Sequence, residues 1–275
     1  MAREALGGRT NIVHRGCAEI HQSQAVCSRA NRETGPTCYI MRRESFYARP
    51  GRQGVPKMKT AITHTESLRL ELEHAVLHGD LSVPEGATGL ILFAHGSGSS
   101  RLSPRNRYVA SVLNNSGFAT LLFDLLTPEE EEHDTVTAHY RFNIPLLAGR
   151  MARATEWVAH YERTRQLALA YFGASTGAAA ALVASATRTD IAAIVSRGGR
   201  PDLAGEALPQ VHAPTLLIVG GNDFEVIRLN QEAMRAMTAH CELKLVPGAT
   251  HLFEEPGALD QVTHLAADWF NIYLK

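Results

Sequence analysis

Residues 167–183 read LALAYFGASTGAAAALV: an apolar run, a short turn that contains Ser175, and an alanine-rich run. The first run predicts a buried strand and the second a helix, so the serine lies where a strand turns into a helix. Gly173 and Gly177 stand two positions before and after it, where larger side chains would collide with the adjoining strand and helix. Such a turn pushes the serine hydroxyl out beside a helix N-terminus, which is the environment that a nucleophile needs.

A serine nucleophile needs a base that takes its proton and an acid that orients the base. The apolar run 214–219 predicts a strand, and Asp223 follows it in the turn Gly-Gly-Asn-Asp. A shorter strand, predicted at 242–246, leads to His251. The chain order serine, aspartate, histidine is that of an α/β-hydrolase triad, so we expect Ser175, Asp223 and His251 to be the catalytic residues.

A glycine-rich turn predicts the groups that would stabilise developing negative charge. The apolar strand predicted at 90–94 ends in His-Gly-Ser-Gly-Ser-Ser at 95–100. Attack on an ester carbonyl creates an oxyanion, and each backbone N–H aimed at it lowers the barrier by about 2.7–4 kcal/mol. We expect the N–H groups of Ser97 and Thr176 to form this oxyanion hole. His95 is expected to brace the turn through backbone hydrogen bonds rather than to react.

Four motifs, each directly after a predicted strand, resemble those of the dienelactone-hydrolase-like branch of the α/β-hydrolase superfamily. They are His95-Gly96-Ser97-Gly98-Ser99, Gly173-Ala174-Ser175-Thr176-Gly177, Gly220-Gly221-Asn222-Asp223 and Gly248-Ala249-Thr250-His251. The resemblance extends from about residue 68 to residue 275 and implies an α/β-hydrolase fold, a mostly parallel central sheet flanked by helices. Dienelactone hydrolases proper carry a cysteine nucleophile, whereas position 175 here is serine, and this departure favours a general serine esterase.

The other patterns of the body fit one such domain. We predict early strands at 68–77 and 119–123, a strand at 191–196, and helices at 107–116 and 144–161. Only one helix is expected between the strand at 119–123 and the strand before Ser175, which leaves no room for a large lid. Asp124 is expected to brace a loop. The glutamate run 129–132 predicts a solvated loop, since four adjacent side chains cannot converge on one metal ion.

Two pairs of arginines could bias the choice of substrate. Arg101 and Arg105 follow the oxyanion turn, and Arg197 and Arg200 flank Gly198-Gly199 after a predicted strand. Both pairs lie at carboxyl ends of strands, the edge where ligands bind in open α/β sheets. A guanidinium there could hold a substrate carboxylate by paired hydrogen bonds. The alternative is that these arginines only hold loops together through backbone carbonyls.

The composition of the chain changes near residue 57. Residues 1–57 carry ten basic and four acidic side chains, a net charge of +6, whereas the whole chain of 275 residues carries −1. The apolar residues of this segment do not recur with the spacing of a helix or a strand. We therefore expect this segment to be a disordered N-terminal extension before a catalytic domain at 58–275. It also lacks the apolar stretch of a secretory signal. Met58 or Met41 could be the true start, so the sequence leaves open whether the extension belongs to the native protein.

Cysteine usage and charge predict the surroundings of the protein. Three of the four cysteines lie in residues 1–57, and a lone body cysteine, Cys241, cannot form an internal disulfide or a zinc site. We therefore expect a cytoplasmic protein without a structural metal. The net charge gives no reason to expect nucleic acid or an anionic membrane as partner. No run of eighteen apolar residues is present that could span a bilayer.

Together these patterns predict a serine hydrolase that cleaves carboxylic esters of small to medium acyl chains through an acyl-serine intermediate. The expected partner is a small-molecule ester or lactone, and no metal or organic cofactor is expected. Two alternatives stay open: a ring-opening hydrolase of lactones or dienelactones, and a non-catalytic ligand-binding protein on the same fold. A binding protein would normally have lost a member of the triad. The oligomeric state is also open.

Overall fold

One eight-stranded sheet runs through residues 65–275, the part of the chain that the computed structural model describes. Its strands are β1 (Thr65–Leu72), β2 (Ala75–Ser82), β3 (Gly89–Ala94), β4 (Ala119–Phe123), β5 (Ala168–Ala174), β6 (Ile191–Arg197), β7 (Thr215–Gly220) and β8 (Cys241–Val246).

The spatial order of the strands is β1-β2-β4-β3-β5-β6-β7-β8. β1 pairs with β2 and β2 with β4 in antiparallel fashion, and all other neighbours are parallel. Every residue of β3, β4 and β7 is buried, as parallel strands covered on both faces must be. The mostly parallel sheet expected from the sequence is therefore confirmed, and β5 lies near its centre.

Helices cover both faces of the sheet. They are α1 (Pro104–Asn115), α2 (Pro128–Thr137), α3 (Ile144–His160), α4 (Thr176–Ala186), α5 (Phe224–Ala236) and α6 (Ala258–Tyr273), with a 3₁₀ segment at Pro201–Gln210. α1 packs against α6, and α3 packs against α4. Two apolar clusters result: one contains residues of α3 and α4, and the other contains residues of α1 and α6. The fold is thus a three-layer α/β arrangement with a core on each side of the sheet.

The strand predicted at 68–77 is wrong, because the chain reverses direction inside it. β1 and β2 form an antiparallel hairpin, in which Leu72 pairs with Ala75 across a turn at Glu73 and His74. Neither turn residue is glycine, asparagine or aspartate, so the two-residue connection carries no strong turn signal. Apolar residues recur on both sides of the turn, so the sequence of the two strands has the pattern of one continuous strand.

The solvated loop predicted for the glutamate run is also wrong, because the run begins α2. The Thr127 hydroxyl accepts a hydrogen bond from the Glu130 N–H, and the Glu130 carboxylate accepts one from the Thr127 N–H. This capping box, with Pro128 in the first turn and acidic side chains near the positive helix end, favours a helix. Two helices, rather than the one expected, therefore separate β4 from β5.

The predicted N-terminal extension, residues 1–57, and residues 58–64 of the predicted domain lie outside the described residues. Of the helices within residues 65–275, none combines the length and the apolarity needed to cross a bilayer.

Candidate active site

Ser175 joins β5 to α4 with an unusual backbone conformation, φ 50° and ψ −122°. A positive φ strains a residue with a Cβ atom, so the surrounding structure must hold it. The Ser175 N–H donates to the Arg197 carbonyl at 3.3 Å, and the Ser175 carbonyl accepts from the N–H groups of Ala178 and Arg200, both at 3.1 Å. The end of β6 and the first turn of α4 therefore keep the serine in this strained position.

The two glycines that flank the serine permit close approaches to backbone. A Cβ placed on Gly177 would lie 2.2 Å from the carbonyl oxygen of Ala94, and one on Gly173 would lie 2.4 Å from Cα of Ala178. Both distances are far below van der Waals contact, and backbone atoms cannot move aside. The steric reason predicted for these glycines is confirmed.

Asp223 and His251 lie on the loops that follow β7 and β8, and their side chains meet. Nδ1 of His251 is 2.7 Å from Oδ2 of Asp223. An ionised carboxylate can only accept, so Nδ1 carries the proton and the lone pair of Nε2 is free to act as a base. The Asp223 side chain is 14% exposed and that of His251 is 38% exposed. The aspartate is therefore shielded from water while the imidazole faces the open edge of the sheet.

Hydrogen bonds between the two loops place the aspartate beside the histidine. The Asn222 N–H donates to the Ala249 carbonyl at 2.9 Å, and the Asn222 side-chain amide donates to the Gly248 carbonyl at 3.0 Å. Gly220 lies so close to the second loop that a Cβ on it would be 2.5 Å from the carbonyl oxygens of Ala249 and Thr250. The residues Gly220-Gly221-Asn222 before Asp223 thus form the surface against which the loop that carries His251 packs.

Gly198, which follows β6, lies beside His251 at the edge of the sheet where Ser175 also lies, and no sequence pattern indicated it as a site residue. Gly198 follows Arg197, and a Cβ placed on it would be 3.6 Å from Cε1 of His251. Its φ of 50° also favours glycine. No hydrogen bond joins Ser175 to His251 among the described residues. Such contacts are often long in unliganded sites and tighten when substrate binds.

Ser97 and Thr176, the two residues predicted for the oxyanion hole, line one small cavity. Thr176 is the first residue of α4, so its N–H has no partner within the helix. Gly96 brings the glycine-rich turn against Ser175, because a Cβ on Gly96 would be 3.0 Å from Cβ of Ser175. The structure therefore brings both residues to the neighbourhood of the serine.

The same cavity is also lined by a charged pair that no sequence pattern indicated. Asp134 and Arg141 both line it. Asp134 is 1% exposed and accepts hydrogen bonds from Nε of Arg141 and from the backbone N–H groups of Tyr140 and Arg141. Burial alone would raise the pKa of Asp134, but these hydrogen bonds outweigh it and hold the pKa below its ordinary value. No local pattern links this pair to the distant glycine-rich turn, so no sequence signal was present.

His95 braces the glycine-rich turn, as predicted. Its Nε2 accepts a hydrogen bond from the Leu125 N–H at 3.0 Å, so in the neutral ring Nδ1 carries the proton and donates to the Gly96 carbonyl at 3.0 Å. Both ring nitrogens are satisfied only in this neutral form. Burial lowers the pKa of His95 below its ordinary value of 6.5, and the Gly96 carbonyl and the charge of Asp124 offset this only in part.

We expect this histidine to make the fold sensitive to mild acid. The folded-state pKa lies below the unfolded value of 6.5. The stabilisation is therefore complete above pH 6.5 and is lost as pH falls toward the folded-state pKa, with a slope of up to about 1.4 kcal/mol per pH unit. In urea unfolding between pH 7 and about pH 5, His95→Gln should flatten this slope, whereas His264→Gln, at an exposed position on α6, should keep it. An unchanged slope in His95→Gln would contradict this role.

The four arginines predicted near the site have different surroundings. Arg101 pairs with Asp124, Arg105 with Glu254 and Arg200 with Asp202. Asp124 accepts from both the backbone N–H and the guanidinium of Arg101, so its predicted loop-bracing role is confirmed. Arg197 differs: it is 8% exposed and donates to the side-chain oxygen of Asn106 at 3.2 Å.

Within residues 65–275, no group of three or more histidine, cysteine, aspartate or glutamate side chains is placed to hold a metal ion. Cys241 is a free thiol at the start of β8, and burial together with the charge of Glu242 raises its pKa to about 12. A thiol of such high pKa is a poor nucleophile, and Cys241 lies at the start of its strand, whereas Ser175 follows the end of β5 at the opposite edge of the sheet.

The chain is similar to known proteins in sequence and in fold. The model of the dienelactone hydrolase family matches residues 80–271. The crystal structure of dienelactone hydrolase from Anabaena variabilis ATCC 29413 is 56% identical, with a TM-score of 0.76, over 78% of this chain and 99% of that one. Est1E from Butyrivibrio proteoclasticus, 16% identical with a TM-score of 0.62 over 75% of this chain and 98% of that one, shows the same fold.

Two curated proteins of Mycobacterium tuberculosis, from strains CDC 1551 / Oshkosh and ATCC 25618 / H37Rv, are each 60% identical over 193 residues. Both carry the name "Putative phosphoribosyl transferase". The match covers 70% of this chain and 43% of each relative, so this chain spans less than half of their length. The family model and the Anabaena structure together cover the whole candidate site, and the chain therefore belongs to the dienelactone hydrolase family.

Proposed function

We propose that this chain hydrolyses carboxylic esters of small to medium acyl chains through an acyl-serine intermediate on Ser175. The observation that carries the proposal is the convergence at one sheet edge of a strained serine turn and a histidine oriented by an aspartate. The His251 Nδ1 to Asp223 Oδ2 distance of 2.7 Å supports the tautomer that a base requires.

The first half of the proposed reaction forms the acyl-serine. Nε2 of His251 takes the proton of the Ser175 hydroxyl as its oxygen attacks the ester carbonyl. The carbonyl oxygen becomes an oxyanion, which the N–H groups of Ser97 and Thr176 stabilise. Nε2 then returns the proton to the leaving alcohol, and the C–O bond of the ester breaks. The alcohol side of the substrate must therefore lie next to His251.

The second half releases the acid. A water molecule replaces the alcohol beside His251, and Nε2 removes a proton from it as it attacks the acyl carbonyl. The same two N–H groups hold the second oxyanion. Its collapse breaks the bond to Ser175, whose oxygen recovers the proton from His251, so that the free enzyme is restored.

A second candidate is ring opening of a lactone. It is favoured by the 56% identity to the Anabaena protein that carries the name dienelactone hydrolase. The same steps apply, except that the leaving alcohol stays attached to the acyl group. We propose the open-chain ester as the preferred substrate, because dienelactone hydrolases proper carry a cysteine nucleophile and position 175 here is serine. A serine hydroxyl is a weak nucleophile at neutral pH, so Ser175 depends on His251 for activation.

Two other functions have less support. A non-catalytic binding protein would not need the serine turn, the oriented histidine and the oxyanion residues together. The name of the Mycobacterium tuberculosis relatives refers to proteins of which the match covers 43%, and we propose no phosphoribosyl transfer at this site.

The proposal is tested by turnover of p-nitrophenyl acetate, butyrate and octanoate, alongside a simple lactone, with the full chain. Ester hydrolysis that declines from the short to the long acyl chains is expected. Turnover of the lactone alone would favour the second candidate. No turnover of any substrate, together with no covalent labelling by a fluorophosphonate, would favour a binding protein.

Replacement of Asp223 by asparagine is expected to lower kcat by about 10³–10⁴ without loss of folded protein. The asparagine amide can donate to Nδ1 of His251, which moves the ring proton to Nε2, where the base function is lost. Steady-state kinetics on p-nitrophenyl acetate measures the effect. Asp268→Asn, at an exposed position on α6, is the matched control and should leave kcat unchanged. A decrease of less than tenfold in Asp223→Asn would exclude the proposed orienting role.

A further inference from the structure

The buried guanidinium of Arg197 has too few partners for its charge. Arg197 ends β6 and is 8% exposed. Nη2 donates to Oδ1 of Asn106 at 3.2 Å, in the first turn of α1. Nε and Nη1 are buried and have no hydrogen-bond partner among residues 65–275. Buried N–H groups are rarely left in this condition, because the loss of water costs free energy that a partner must return.

A second guanidinium lies beside the first. Arg105 is the residue before Asn106, and Nη1 of Arg105 donates to Oε1 of Glu254 at 3.0 Å. Nε of Arg105 is also buried without a partner among the described residues. The first turn of α1 contains no acidic residue, although the positive end of a helix favours one. Burial, and then the positive charge of Arg105, lowers the pKa of Arg197 to about 10.

The charge of Arg197 has no carboxylate paired with it among residues 65–275. Arg105 pairs with Glu254, and no described carboxylate lies within hydrogen-bond distance of Arg197. In Glu255, the next residue of the loop, Oε1 accepts from the backbone N–H and hydroxyl of Thr250 and Oε2 is buried without a described hydrogen bond, so Glu255 pairs with neither arginine. The Arg197 guanidinium is therefore a buried charge without a described counter-charge. An uncompensated buried charge costs several kcal/mol, so an anion is its chemical complement.

We propose that Arg197 and Arg105 bind one small monovalent inorganic anion, such as chloride. The burial of Arg197 favours a small anion that gives up most of its water, and its one unpaired guanidinium favours a single negative charge. Arg105 also lines a surface cleft with Tyr108, Phe253 and Glu254, so this second ligand lies at the solvent-facing side of the pair.

The ion would connect α1 to the loop that carries the catalytic histidine candidate. Arg105 is tied through Glu254 to this loop, three residues after His251. Binding therefore stabilises the docking of the loop on α1. This site is separate from ester hydrolysis, because it depends on no step at Ser175, and its test measures unfolding and ion density rather than turnover.

The first test is thermal unfolding of the full chain in chloride and in bromide, at constant ionic strength balanced with gluconate, which is too large for the site. The Tm should rise with halide concentration and reach a shift on the order of 2–4 °C. Arg197→Met should lose the halide response. Arg228→Met, at an arginine on α5 that pairs with Glu225 and Glu232 at the surface, is the matched control and should keep it.

The second test is anomalous scattering from wild-type crystals soaked in bromide, which needs no variant. A bromide peak beside Nε or Nη1 of Arg197 is expected. Water at these atoms without a bromide peak would overturn the proposal, and so would a halide-dependent shift in Tm that survives in Arg197→Met. If Arg197→Met does not fold, the bromide experiment decides alone.

Discussion

Replacement of Ser175 by alanine is expected to lower ester turnover by on the order of 10⁶, with the protein still folded. The hydroxyl is the proposed nucleophile, and nothing else in the triad can form the acyl intermediate. Residual catalysis would come from the oxyanion hole and from substrate binding alone. Alanine has the same Cβ as serine, so the strained backbone at φ 50° is unchanged, and no described hydrogen bond of the hydroxyl is lost.

The measurement is the initial rate of p-nitrophenyl acetate hydrolysis, with circular dichroism to show that the variant is folded. Ser111→Ala, at an exposed position on α1, is the control and should keep the wild-type rate. A folded Ser175→Ala protein that retains a tenth or more of the wild-type rate would rule out the acyl-serine mechanism.

Replacement of Gly177 by alanine is expected to reduce the free energy of unfolding by about 3 kcal/mol or more. The added Cβ would lie 2.2 Å from the carbonyl oxygen of Ala94 and 2.4 Å from that of His95. Neither backbone oxygen can move without disturbing β3 and the glycine-rich turn, so α4 must be displaced from the sheet. Since domains are stable by about 5–15 kcal/mol, a loss of this size would leave little folded protein.

The matched control is Gly149→Ala, in the middle of α3. A Cβ on Gly149 meets no atom within 4 Å, and its backbone is helical. Alanine there should stabilise the protein by about 0.8–1 kcal/mol, because glycine is a poor helix former. In urea unfolding, the free energy of unfolding should therefore fall in Gly177→Ala and rise in Gly149→Ala, relative to wild type. Equal stability of Gly177→Ala and wild type would show that the close approach between α4 and β3 is not required.

Most of the sheet was predictable because its strands are continuous apolar runs that end in glycine or polar turns. The strands that precede Ser175, Asp223 and the glycine-rich turn lie within two residues of their predicted bounds. The steric role of Gly173 and Gly177 was predictable for the same reason, since a serine between two glycines at a strand–helix junction has few other backbone solutions.

The errors arose where local signals were weak or were overlooked. The turn between β1 and β2 has no glycine, so the pattern of apolar residues alone did not reveal that the chain reverses direction there. The capping box Thr127-Pro128-Glu129-Glu130 was present in the sequence, but the charge of the run obscured it. Charge predicts exposure, and an exposed segment can be a helix when its first turn is capped.

The amino-acid sequence alone was enough to predict the order of the strands along the chain, the serine turn and the candidate triad, because these depend on residues that are neighbours in the chain. Packing decided the partners of each side chain. It paired Arg101 and Arg200 with carboxylates, left Arg197 buried with two donor nitrogens that have no partner among residues 65–275, and docked the loop of Asp223 onto that of His251. These contacts join residues far apart in the sequence, and their geometry follows from how strands and helices pack in three dimensions.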